Sequence, residues 1–261
     1  MVLQSFQVDA FTDQIFSGNP AEVVMLEEML PDSILRKIAQ ENSVPETAFI
    51  LPEGPGYSLR WFTPDIEMDL CGHATLASAY ILFTLYNYKG EEILFRTASG
   101  PLSVKREGDT YAMNFPVRKA VKSPLPEEIS DSLNIKPVEI YKARDYMLVY
   151  SRQEEIEMIE IERSVFDEIN IDPGGVIVTA PGRDCDFVSR FFTPQSTLLE
   201  DPVTGSAHCT LAPYWGKRLN KTSLTAMQLS KRGGTIGCSL EDGRVIIRGK
   251  AVIFSKSELY L

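Results

Sequence analysis

Two stretches of this chain hold the residues best suited to chemistry, and they are copies of one another. The first, RWFTPDIEMDLCGHATLASAYIL, runs from Arg60 to Leu82, and the second, RFFTPQSTLLEDPVTGSAHCTLAPYW, from Arg190 to Trp215. Arg60 and Thr63-Pro64 match Arg190 and Thr193-Pro194 at an offset of 130, whereas Gly72 matches Gly205 at 133, so the loop is three residues longer in the second copy. Each copy reaches Gly-x-Ala at the start of a helix-like stretch, Gly72-His73-Ala74 and Gly205-Ser206-Ala207. A helix start leaves backbone N–H groups unpaired, and with the helix dipole these attract an anion. Glycine at 72 and 205 would let that anion come close to the backbone. Two such ends facing each other would grip a small carboxylate-bearing molecule. One copy alone reads as an ordinary glycine cap; the echo, with His73 and Ser206 at matched places, favours function.

The repeat continues upstream. Glu46-Thr47-Ala48-Phe49-Ile50-Leu51-Pro52 matches Gly175-Val176-Ile177-Val178-Thr179-Ala180-Pro181 when the prolines are aligned, which sets Glu46 against Gly175. A carboxylate just before an apolar run is most often a solvated strand end. Its place in the repeat, in the first half only, makes Glu46 worth separate attention.

The elements that must position these residues follow from the pattern. Asp32 reads as the N-cap of a helix over Ser33–Glu41, with Ile34, Leu35 and Ile38 on one face. The segment from Ala74 to Tyr88 is apolar on nearly every side and so belongs inside a sheet. Strands are expected at Glu92–Thr97, Leu102–Glu107 and Tyr111–Pro116, and at Ser223–Ser230, Thr235–Glu241, Val245–Gly249 and Lys250–Lys256, with a hairpin turn at Asp242-Gly243. A second, shorter central helix follows Ser206, with Pro213 near its end, and a further helix is expected near Ser164–Ile169. The fold class is α+β: two pseudo-symmetric domains, each a barrel-like, mostly antiparallel sheet around one central helix, rather than a βαβ alternation. The basic, proline-bearing stretch Val117–Pro126 marks the junction. The expected domains are 1–117 and 118–251, with the last strand, about 252–261, returning to the first.

Composition narrows the function classes. With 261 residues and a net charge of −10, the chain carries no Lys/Arg run, which argues against nucleic acid as a partner. Cys71, Cys185, Cys209 and Cys238 are not spaced as zinc ligands or a redox pair. The first residues lack a basic start and an apolar run, and no stretch is apolar enough to span a bilayer. The expectation is a cytoplasmic protein with free thiols, no membrane partner, no metal and no nucleotide site, since Arg232-Gly233-Gly234-Thr235-Ile236-Gly237 precedes strands rather than a helix.

Four pieces spread along the whole chain resemble the PhzF-like family of phenazine-biosynthesis isomerases, which is related to diaminopimelate epimerase and proline racemase. They are Val8-Asp9-Ala10-Phe11-Thr12 with Gly18-Asn19-Pro20, Glu46-Thr47-Ala48-Phe49, Cys71-Gly72-His73-Ala74-Thr75, and Asp201-Pro202-Val203-Thr204-Gly205-Ser206-Ala207-His208. The resemblance implies a diaminopimelate epimerase-like fold with the active site between the domains, a homodimer, no cofactor and a small-molecule substrate. It implies that Glu46 is the acid/base and that His73, Asp201 and Ser206 hold or polarise the substrate, with Gly72, Ala74, Gly205 and Ala207 beside it. Pro45 stands where some members have Ser, which loses a hydroxyl beside Glu46.

The related epimerases use two opposed cysteines. Here Cys71 precedes Gly72 but Thr204 precedes Gly205, and a threonine hydroxyl cannot replace a thiol base. A single carboxylate that takes a proton from one carbon and returns it to another fits better, provided it exchanges protons near the working pH. His73, at a helix start, is expected neutral, because the dipole disfavours a cation there. Asp201 can cap its turn, touch substrate or do both, and Asp69 is the candidate for the matching cap in the first half. Cys71 reads as an inert buried thiol, Cys209 and Cys238 as core residues, and His208 as having no catalytic part. Two alternatives stand: a protein that binds a small carboxylate without turnover, and a one-cysteine racemase pairing Cys71 with Glu46.

Overall fold

Parallel strands need a crossover between them, and each half of the chain makes two. The computed structural model describes residues 1–171 and 174–261. They form two units, Met1–Asn114 with Ile247–Leu261, and Phe115–Ile246.

In the first unit, Val2–Ala10 lies antiparallel to both Asn19–Met25 and Ala251–Tyr260. Asn19–Met25 runs parallel to Glu46–Glu53, and the helix Asp32–Asn42 makes that crossover. Glu46–Glu53 turns back on Gly56–Phe62, which runs parallel to Glu92–Thr97. The helix Gly72–Thr84 makes this second crossover, and antiparallel strands Gly100–Glu107 and Thr110–Pro116 follow. The second unit repeats the scheme. Glu139–Lys142 pairs antiparallel with Tyr146–Val149, which runs parallel to Val176–Pro181. Phe187–Phe192 turns back on that strand and runs parallel to Ser223–Gln228, with the helix His208–Leu219 between them in sequence. Gly234–Glu241 closes the series. These parallel crossovers were not expected from the sequence, because a short strand beside a helix scores like any apolar run.

The central helix of the first unit has the expected character: Leu76, Ala77, Ile81 and Leu82 are fully buried. The outer helix packs Leu35, Ile38 and Ala39 on Leu3, Val24, Phe49 and Phe62. Asp32 is its first residue rather than its cap; Pro31 holds the cap position, and the Asp32 carboxylate accepts from Arg60 at 2.8 Å. The helix of the second unit tolerates Pro213 because the carbonyl that loses its intrahelical donor, that of Cys209, accepts instead from the Arg118 backbone N–H at 2.9 Å. The helix expected near Ser164–Ile169 is the short helix Arg163–Phe166, and another short helix, Gln153–Glu157, precedes it. No helix among the described residues is long and apolar enough to cross a membrane.

Candidate active site

In the first unit, Glu46 opens the strand Glu46–Glu53, where the parallel register sets it beside Ala21, two residues after Asn19. Cys71 occupies the cap position of the central helix with extended backbone and no cap bond from its side chain, and Gly72, His73 and Ala74 form the buried first turn. This register brings two sequence-distant residues, Asn19 and Glu46, onto His73, where they join its chain neighbour Cys71. Its Nε2 lies 3.1 Å from Glu46 Oε2, with the two side chains only 6% and 15% exposed. The two atoms are in contact without a well-aligned hydrogen bond. On the other side of the ring, Nδ1 lies 3.1 Å from Asn19 Nδ2 and 3.6 Å from Cys71 Sγ.

Burial by itself pushes the His73 pKa down, but its neighbours Cys71 and Glu46 together outweigh it and raise the imidazole well above its ordinary value. Burial also raises the Cys71 thiol, with the Glu46 charge adding to it. The raised thiol is neutral at neutral pH. The neutral His73 expected from the helix dipole is corrected accordingly: a full charge 3.1 Å away outweighs the partial charge of a helix end. A doubly protonated ring has a donor at each nitrogen, so the Asn19 amide would present its oxygen.

In the second unit, Asp201 ends the two-residue strand Glu200–Asp201 and faces Phe191 in register. Its Oδ2 accepts from Thr204 Oγ1 at 2.5 Å. Gln228, almost wholly buried, ties this turn together: its Oε1 accepts from Thr204 N at 2.8 Å and its Nε2 donates to the Asp201 carbonyl at 2.7 Å. Gly205, Ser206 and Ala207 form a single 3₁₀ turn, and the α-helix begins only at His208, so the two copies open differently. Ser206 sits half-buried on that turn, with Gly205 and Ala207 buried beside it. His208 is fully buried and its Nδ1 bonds Thr204 O at 3.0 Å; burial pushes its pKa down to about 4.

The register also corrects one pairing. Trp61 faces Met68 where Phe191 faces Asp201, so Met68, not Asp69, is the counterpart of Asp201. Asp69 matches Pro202: Ser99 Oγ donates to the carbonyl of the first and Ser230 Oγ to that of the second, both at 2.7 Å. Sequence reasoning assigned no site role to Asn19 or Gln228. The Gly18-Asn19-Pro20 piece was the available signal for Asn19; Gln228 lies in an alternating strand that offers none. Cys71, Cys209 and Cys238 are buried free thiols and Cys185 is half-buried.

The model of the phenazine biosynthesis-like proteins matches residues 8–257. The chain belongs to that family. An uncharacterised isomerase of Pseudomonas aeruginosa is 45% identical to it over the whole of both chains. The crystal structure of a PhzF-family protein from Enterococcus faecalis superposes with a TM-score of 0.96 at 46% identity, each chain covered in full. A hydroxyproline epimerase from Agrobacterium vitis, crystallised with trans-4-hydroxy-L-proline, covers 99% of this chain and 92% of its own with a TM-score of 0.65. At 10% identity that likeness is one of fold. The family and its relatives place the chain among isomerases.

Proposed function

We propose that the protein is a cofactor-independent isomerase that moves a proton on a small carboxylate-bearing substrate, with Glu46 as general acid/base. The Glu46–His73 contact of 3.1 Å carries this reading. A carboxylate held beside a buried imidazole, itself flanked by Asn19, can take a proton from one carbon and deliver it to another. His73 balances the charge while the proton is in transit. With Thr204 in place of a second cysteine, no opposed thiol pair is available. In this reading the N–H groups around Gly72 and Ala74, and around Gly205 and Ala207, stabilise charge developing on the substrate, and Asp201 and Ser206 hold its polar groups. A homodimer and a cytoplasmic location belong to the same proposal.

The test is uptake of deuterium from D₂O by a panel of small amino and hydroxy acids. One of them exchanges with the wild type, and Glu46→Gln lowers that exchange by roughly a hundredfold to ten-thousandfold. A Glu46→Gln protein that exchanges as fast as wild type overturns the assignment.

A further inference from the structure

We propose that Glu46, Cys71 and His73 form a binding site for a thiophilic divalent cation, Zn²⁺ above all, whose occupancy competes with isomerisation for the same side chains. One donor atom from each residue lies within 4.8 Å of the other two. Thiolate, imidazole and carboxylate are the three donor types that zinc takes, and three protein ligands leave a fourth position open. Calcium and magnesium prefer all-oxygen shells, so a site holding sulfur and nitrogen discriminates against them.

Each pairwise distance is close to that of two ligands on one zinc, though the two pairs meet different nitrogens of the ring. With Zn–S and Zn–N bonds of about 2.3 and 2.0 Å, a tetrahedral sulfur and nitrogen stand about 3.5 Å apart; Cys71 Sγ and His73 Nδ1 are 3.6 Å apart. A nitrogen and an oxygen on one zinc stand about 3.4 Å apart; His73 Nε2 and Glu46 Oε2 are 3.1 Å apart. One imidazole nitrogen serves one ion, so either the thiol or the carboxylate must swing to the other's side of the ring for the shell to close. No well-aligned hydrogen bond joins Nε2 and Oε2, so an ion there displaces none between them. Binding requires two protons to leave for solvent, that of the thiol and one from the charged His73 ring, so Zn²⁺ affinity rises with pH. Rival sites are few: the chain has two histidines, and the other, His208, is fully buried and bonded to Thr204. The spacing of the cysteines conceals the site, because its third ligand arrives through a strand register.

Binding stands on the donor set alone; its consequence for turnover rests on Glu46 being the acid/base. The full-length protein, stripped of metal, is titrated with Co²⁺ and then with Zn²⁺. The expected result is one Co²⁺ per chain with a thiolate-to-cobalt charge-transfer band, displaced by one equivalent of Zn²⁺. Cys71→Ser abolishes the band and weakens Zn²⁺ by more than the roughly hundredfold that loss of a mere supporting neighbour costs. Glu46→Gln weakens Zn²⁺ by about tenfold or more, and Cys185→Ser changes nothing. Absence of the band, or its survival in Cys71→Ser, overturns the site; should Cys71→Ser not fold, unchanged Zn²⁺ affinity in Glu46→Gln does so. Zn²⁺ that binds but leaves deuterium exchange intact keeps the site and removes Glu46 from catalysis. Exchange that depends on Glu46 in a protein that binds no Zn²⁺ removes the site alone.

Discussion

Arg60 holds Glu67 through two parallel N–H···O bonds, each 2.7 Å long. Arg190 holds Glu200 in the same way at 2.7 and 3.0 Å. Each arginine also lies over a phenylalanine two residues on, at 5.1 Å from the Phe62 ring and 4.9 Å from that of Phe192. Each glutamate is in register with that phenylalanine. The clamp thus ties down the loop that delivers the first turn of the next helix, and the three extra residues of the second copy fall inside it. Lysine keeps the charge but loses the planar fork. Arg60→Lys should cost about 1–2 kcal/mol. Arg190→Lys should cost more, about 2–4 kcal/mol, because Arg190 also donates to the carbonyls of Ile156 and Ile159. Urea denaturation measures both; equal losses would show that the two carbonyl bonds of Arg190 contribute no more than the bond of Arg60 to Asp32.

The charge on His73 has a direct readout. With two histidines in the chain, NMR resolves each ring. Glu46→Gln should bring the His73 pKa down, because burial is then opposed by no carboxylate. Cys71→Ser should leave it high, since a thiol whose own pKa is raised contributes no charge at neutral pH. A His73 pKa that falls in Cys71→Ser and not in Glu46→Gln would make the cysteine a thiolate and revive the one-cysteine racemase.

His208 sets a pH window for stability. Its folded pKa is lowered to about 4 by burial, against an ordinary 6.5. Between those values the unfolded chain binds a proton that the folded chain does not. Stability therefore rises with pH across the window and is lost as pH falls from about 6.5 toward 4, by up to about 3 kcal/mol. His208→Gln lowers stability at every pH but removes this component. The difference between stabilities at about pH 7.5 and pH 4.5 should narrow by about 2 kcal/mol relative to wild type. An unchanged difference would mean that the acid sensitivity lies in the carboxylates.

The repeat exposed the architecture to sequence reading, because two copies of a strand, loop and apolar helix can be aligned without knowing their shape. It was misleading where matched residues differ in kind. Asp69 and Asp201 invite pairing as two aspartates after a Thr-Pro turn, yet backbone register makes Met68 the partner of Asp201. Thr75 Oγ1 and His208 Nδ1 bond the carbonyls of Cys71 and Thr204 from matching positions, and no substitution table equates threonine with histidine. The contacts of His73 were hidden for another reason. Asn19 and Glu46 reach it through neighbouring parallel strands, and parallel register leaves no period in the sequence. The charge of His73 was misjudged because the dipole of its own helix is a local property, whereas Glu46 is a tertiary one.

Gln228 offers the sharpest test of the second unit. Its amide is both donor and acceptor: Oε1 takes the Thr204 N–H at 2.8 Å, while Nε2 gives to the Asp201 carbonyl at 2.7 Å and approaches Thr204 Oγ1 at 3.3 Å. Gln228→Met keeps the length and leaves buried backbone groups without these partners, at about 1–3 kcal/mol each. That loss should be independent of pH. Gln228→Glu should behave differently. Ionised, it has two acceptors and no donor, and it sets a second negative charge beside Asp201; protonated, it donates as the amide does. Its stability deficit should therefore be largest near pH 8 and shrink toward pH 5, and deuterium exchange should recover in parallel if the amide acts by positioning Asp201. A deficit in Gln228→Glu as flat with pH as that of Gln228→Met would mean that the side chain merely fills space, and that the turn bearing Asp201 and Thr204 is held by the backbone alone.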